Sequence, residues 1–181
     1  MVIADRTFTE EEFVQFVLLP EHGDISFELI GERAYSTVSN NRSSRIAASI
    51  GILIGSFVKQ NNLGYVTGAD GGYEVSGQRY IPDVAFMSKT RQPNPSNETY
   101  NSQAPDLAVE VLSPTDDPAN VRIKLTNYLY AGTTVWIVDP DAATVEIYVP
   151  NKSAIRLSKD DTISGLSVLP SFQVPVTDIF D

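Results

Sequence analysis

The chain has 181 residues, 42% hydrophobic and 20% charged, with a formal net charge of −10, no cysteine and one histidine, His22. This balance belongs to a globular domain with room for a sizeable core and excludes disorder. The lack of cysteine excludes disulfides, thiolate nucleophiles and zinc–thiolate sites, and the acidic excess argues against a surface that binds nucleic acid throughout.

The amino terminus, Met1 to Glu12, lacks the basic and apolar segments of an export signal. The longest apolar stretch, Ile46 to Val58, is shorter than the roughly 18 residues a spanning helix needs. A cytoplasmic protein without a membrane span is expected, and with no linker in view residues 1–181 read as one domain.

Thr9 and Glu12 form a capping box that predicts a helix to about Leu18, with Phe13, Phe16 and Val17 as its apolar stripe. A turn at Pro20–Gly23 carries His22, the one position on which a histidine-based triad would have to be built; otherwise it is a solvated loop residue. Phe27–Ile30 and Arg33–Val38 around Gly31-Glu32 predict a hairpin. The longest helix is expected from about Asn40 to Lys59, with Ile46, Ile50, Leu53, Ile54 and Phe57 facing a sheet and Gly51 and Gly55 suggesting close approach to a neighbour. Runs at Tyr65–Thr67, Gly72–Val75, Tyr80–Ser88 and Asp106–Leu112 predict the strands of a central sheet, with an unpatterned loop at Thr90–Pro105 expected to edge a substrate groove. A helix should run from Asp117 to about Tyr130 and stop at Gly132. A further hairpin is predicted at Thr133–Val149, a strand at Ala154–Leu157, and a proline-containing tail crossing the surface.

Within this pattern four charges stand among apolar residues: Glu28, Asp83, Glu110 and Lys124. A carboxylate in a sheet interior costs several kcal/mol unless a cation or hydrogen bonds compensate. Period-two geometry puts Asp83 with Ala85 and Met87, and Glu110 with Asp106, Ala108 and Leu112, so each acid has an alanine two residues away that leaves room for an ion. If the two strands pair in matching register, Asp83 and Glu110 share one metal, and an oxygen-only donor set selects magnesium or manganese. Lys124 falls inside the helical stripe of Val121, Leu125, Tyr128 and Leu129 and can reach the sheet. The alternatives are a turn or cap role for Asp83, a solvent-facing Glu28 and a Lys124 that snorkels to water. Arg42, Arg45, Arg79, Lys89, Arg91 and Arg122 are the candidate basic positions for meeting phosphate.

The segments Phe27–Glu32, Pro82-Asp83-Val84, Pro105–Pro114, Lys124 with Tyr128, Ala131-Gly132 and Trp136–Pro140 resemble, in order, the Uma-type restriction-endonuclease family of the PD-(D/E)XK nuclease superfamily. The resemblance implies an α/β (α+β), restriction-endonuclease-like fold: a mixed central β-sheet flanked by helices, here with extra β-hairpins. It implies that Asp83 and Glu110 bind magnesium, that Lys124 activates water or stabilises the phosphate, and that Glu28 is an accessory acid. Two residues after Glu110, where the superfamily motif has lysine, stands Leu112, so the lysine role must move to Lys124. The expected activity is metal-dependent hydrolysis of DNA phosphodiester bonds, with a homodimer plausible because cutting two strands favours two sites. The alternatives are a non-catalytic nuclease-like module that binds nucleic acid or a protein, and a carboxylate-based hydrolase acting on another substrate.

Overall fold

The structure, a computed structural model, describes residues 7–23, 25–37 and 39–181. The expectations that touch residues 1–6, Asp24 and Val38 lie outside the described residues. Both halves of the capping box are present at the start of α1 (Glu10–Val17): Glu12 N–H donates to Thr9, and Thr9 N–H to the Glu12 carboxylate. After a short 3-10 turn at Pro20–His22, β1 (Phe27–Ile30) and β2 (Arg33–Ser36) form the expected hairpin. Gly31 and Glu32 both take positive φ at its tip, the conformation that matches a two-residue turn to the twist of its strands.

Helix α2 (Asn41–Gln60), capped by the Asn40 side chain on Ser43 N–H, places Ile46, Ile50, Ile54 and Val58 at four-residue intervals in the main core. Then come β3 (Gly64–Gly68), β4 (Gly72–Val75), β5 (Gln78–Tyr80), β6 (Val84–Ser88), β7 (Tyr100–Asn101) and β8 (Leu107–Val111). Helix α3 (Pro118–Tyr130) connects β8 to the parallel strand β9 (Thr134–Asp139). The chain closes with β10 (Thr144–Tyr148), β11 (Ile155–Leu157), β12 (Thr162–Ser164), β13 (Gln173–Pro175) and α4 (Thr177–Phe180).

The strands form two main sheets, where the sequence pattern had suggested one. A six-stranded mixed sheet runs β11-β10-β9-β8-β6-β3, and a five-stranded sheet runs β2-β1-β5-β4-β7. The run Tyr80–Ser88 therefore splits between sheets. Proline at 82 has no N–H for a ladder, so β5 ends in one sheet and β6 begins in the other. The supposed loop at residues 90–105 contributes β7, which pairs in parallel with β4.

The six-stranded sheet turns Val84, Phe86, Leu107, Val109, Trp136 and Val138 toward α2. Its other face, with Ala85, Met87, Ala108, Val135 and Ile137, shares a second core with Ile30, Tyr73, Val75 and Tyr80 of the five-stranded sheet and Tyr128 of α3. The tail corrects its surface assignment: Ile163, Leu169, Phe172, Val174, Val176 and Ile179 are buried in the main core. Its apolar residues are spread between turn residues, so no period announces them. Gly51 and Gly55 are not forced by close packing, since a Cβ would meet only Val84 at 3.7 Å in one case and nothing in the other. Close packing does force Gly64, where a Cβ would lie 2.0 Å from the Met87 carbonyl oxygen, and Gly165, where it would lie 2.3 Å from the Leu169 carbonyl oxygen.

Candidate functional site

Strands β6 and β8 are antiparallel with Val84 opposite Val109 and Ala85 opposite Ala108. Extended one step beyond the paired residues, that register sets Asp83 opposite Glu110. Asp83 lies just past the end of β6, where its Oδ2 accepts the Val111 N–H at 2.7 Å and so fastens the acid to the neighbouring strand. Both alanines are buried, but the space beside them belongs to the core that holds the Tyr80 and Tyr128 rings, 5.3 Å apart between centroids. The alanines admit aromatic rings rather than leaving an open chamber.

Lys124 closes the arrangement. It is 8% exposed, and its Nζ donates to Glu28 Oε1 at 2.8 Å and to Glu110 Oε2 at 2.7 Å. Glu28, 7% exposed on β1, accepts a second bond at the same oxygen from Ile81 N–H at 2.8 Å. Glu110 Oε1 accepts from Tyr128 OH at 3.0 Å, while Asn127 Nδ2 donates to Tyr80 OH, whose ring lies 5.7 Å from Lys124 Nζ. Thus β1, α3, β8 and the residue before β6 each supply one charge, and neither the snorkelling lysine nor the solvent-facing Glu28 is found.

The electrostatics follow from two carboxylates paired with one buried cation and a third acid nearby. Burial pushes the Asp83 carboxyl up to about 6, opposed by the Val111 N–H and the Lys124 charge. Burial likewise raises Glu110, to about 8, against the lowering effect of Lys124. Burial alone would lower Lys124, but the two carboxylates outweigh it and hold the ammonium charged well above its usual range. Lys124 is therefore a fixed charge rather than a proton acceptor near neutral pH.

Two of the acids keep an oxygen available: Asp83 Oδ1 and Glu28 Oε2 accept no hydrogen bond among the described residues, and neither is sealed from solvent. No group of three His, Cys, Asp or Glu side chains among the described residues is spaced to hold an ion. Asp83 Oδ1 suits magnesium, which retains several waters and is commonly held by one or two protein carboxylates, whereas both Glu110 oxygens already accept a hydrogen bond, from Lys124 and Tyr128, so Glu110 would ligate only through a remaining lone pair. The excess of buried negative charge over the single lysine favours such a cation.

The other sequence candidates are placed elsewhere. His22 Nδ1 donates to the Phe16 carbonyl at 2.7 Å and its ring packs on Phe16 and Phe27, so it is neither a triad member nor a freely solvated residue. The basic positions do not assemble into one patch. Arg79 is buried between Glu10 and Glu74, Arg91 pairs with Asp106, Arg42 pairs with Asp141, and Arg45 donates to the Phe180 and Asp181 carbonyls. Lys89 is bonded to Asn62, while Arg122 has no side-chain partner among the described residues. Asp106, on the same strand face as Glu110, is occupied by Arg91 and the Ser88 N–H. The Ile81 amide was beyond sequence reasoning, because a backbone donor has no residue type to mark it. Tyr128 had a signal, one helical turn after Lys124.

The model of the Uma2 family, described as a putative restriction endonuclease, matches residues 11–177. The chain belongs to the Uma2 family. The Uma2 fold also superimposes with a TM-score of 0.83 on the crystal structure of a protein described as a putative nuclease belonging to DUF820 from Anabaena variabilis. That structure is 23% identical, and the match covers 96% of this chain and 97% of the other. No curated protein matches the chain. Family membership supports a nuclease-like function for this Uma2 protein, and the structural likeness supports its mixed α+β architecture. No helix among the described residues is long and apolar enough to cross a membrane.

Proposed function

We propose that the protein, read as one restriction-endonuclease-like domain over residues 1–181, is a divalent-metal-dependent endonuclease that hydrolyses DNA phosphodiester bonds. The observation that carries this reading is Lys124 donating to both Glu28 and Glu110 beside an acid, Asp83, set opposite Glu110 by strand register. Structural ion pairs usually match one acid to one base. Here two acids share one buried base and a third, Asp83, stands beside them, a costly arrangement that chemistry accounts for better than stability does.

Asp83 and Glu110 are the residues that would hold magnesium or manganese. A bound ion would lower the pKa of an attacking water and neutralise charge developing on the phosphate. Lys124, permanently charged, would stabilise a phosphate oxygen electrostatically; its double ion pair disfavours the general-base alternative. Glu28 orients Lys124 while being oriented itself by the Ile81 N–H. Leu112 leaves the usual lysine position apolar, and α3, packed on the same face of the sheet, returns a lysine to the same carboxylate.

The test is plasmid cleavage with magnesium or manganese by the wild type beside Asp83→Asn, Glu110→Gln and Lys124→Met, each checked for folding. Metal-dependent nicking lost in all three supports the reading. An inert wild type that also gains no stability from either metal favours the non-catalytic module.

A further inference from the structure

We infer that Tyr128 is a positioning residue which, together with Lys124, fixes the Glu110 carboxylate for metal capture. The inference rests on the metal-dependent reading above and adds a residue to it. Lys124 and Tyr128 stand one helical turn apart on α3, so their side chains leave the helix on the same face. Their donors meet one carboxylate: Nζ reaches Oε2 at 2.7 Å and the hydroxyl reaches Oε1 at 3.0 Å. One donor alone would let the carboxyl group rotate about its terminal bond, a torsion with a broad, roughly two-fold preference. Donors on both oxygens fix the plane, and each oxygen retains a lone pair for an ion.

Packing alone does not explain the hydroxyl. Tyr128 is fully buried against Tyr80 in a core where phenylalanine would fill nearly the same volume. A buried hydroxyl costs stability unless bonded, and its one hydrogen-bond partner among the described residues is Glu110. Hydrogen bonds that orient a ligating carboxylate typically change metal affinity about 10- to 100-fold when removed.

The experiment compares metal-induced thermal stabilisation of the wild type, Tyr128→Phe and Glu110→Gln, titrated with manganese in the absence of DNA. Magnesium-dependent cleavage is followed in parallel. The inference expects the wild type to respond, Glu110→Gln to lose the response, and Tyr128→Phe to need about 10- to 100-fold more metal. Cleavage by Tyr128→Phe should recover toward the wild-type rate as metal is raised, which loss of packing would not produce. Equal metal requirements for wild type and Tyr128→Phe overturn the inference while leaving the metal reading intact. A wild type that responds to no metal overturns both. A second measurement covers the case in which the phenylalanine variant does not fold: magnesium should shift the tyrosine near-ultraviolet absorption of the wild type but not of Glu110→Gln. A wild type that is stabilised by magnesium without that spectral shift also overturns the inference.

Discussion

Replacing Asp83 by asparagine should make the metal-free protein more stable at pH 8, even though it removes a carboxylate from the proposed metal site. Burial raises this carboxyl from 3.8 to about 6 in the folded state. The folded chain therefore binds the proton more tightly than the unfolded chain. The sign is thus a loss of stability as pH climbs from about 4 through about 6, complete above that range. A difference of about 2 pKa units corresponds to at most about 3 kcal/mol. Asparagine removes this cost, yet its amide oxygen can still accept the Val111 N–H that Asp83 now holds at 2.7 Å. Urea unfolding followed by fluorescence of Trp136, the single and buried tryptophan, reads the change directly. In EDTA the variant should exceed the wild type by about 1–3 kcal/mol at pH 8 and approach it near pH 4. Asp83→Ala, which also forfeits the Val111 bond, should fall below Asp83→Asn by about 1–3 kcal/mol. Equal destabilisation by asparagine and alanine at pH 8 would show that the buried charge is not a cost and would refute the reasoning.

Lys124→Met should cost about 3–5 kcal/mol without metal because it strands Glu28 and Glu110, and adding Glu28→Gln to it should recover part of the loss in denaturant unfolding. Because burial raises Glu110 to about 8, a metal held there would have to displace its proton at lower pH. Manganese affinity measured by calorimetry should rise with pH up to about 8 and then level, with proton release visible across buffers of different ionisation enthalpy. Arg79→Ala should destabilise the chain by about 1–2 kcal/mol, mostly through lost packing of the buried arginine because Glu10 and Glu74 are exposed enough to be rehydrated, and should not alter the salt dependence of any DNA binding. Arg122→Ala should leave stability unchanged and lower that salt slope by about 1 in filter binding, as expected for one lost phosphate contact.

The candidate site was more legible than the architecture around it. Asp83, Glu110 and Lys124 were conspicuous because a charge in an apolar run contradicts local patterning, and the register of β6 and β8 then brought the two acids opposite each other. Glu28 was ambiguous: a hairpin glutamate has the same sequence context whether its strand faces water or a second sheet. The division into two sheets was hidden for a related reason. Periodicity reports which face of a strand is apolar but not which strand lies beside it, and only Pro82 hinted at the break between β5 and β6. The arginines misled because sequence shows a charge but not its partner. Arg79 is consumed by Glu10 from nearly 70 positions earlier in the chain.

The four charges also differ in how far apart they lie along the polypeptide. Glu110 and Lys124 come from one strand–helix–strand unit between Leu107 and Asp139, whereas Glu28 arrives with the other sheet and Asp83 stands at the crossing between the two. A chain still emerging from the ribosome can hold any one of these groups but cannot bring them together until both sheets have closed on α3. The full set of four charges is therefore a property of the whole fold, and separation of either sheet from α3 would take it apart while leaving each sheet's own ladder intact.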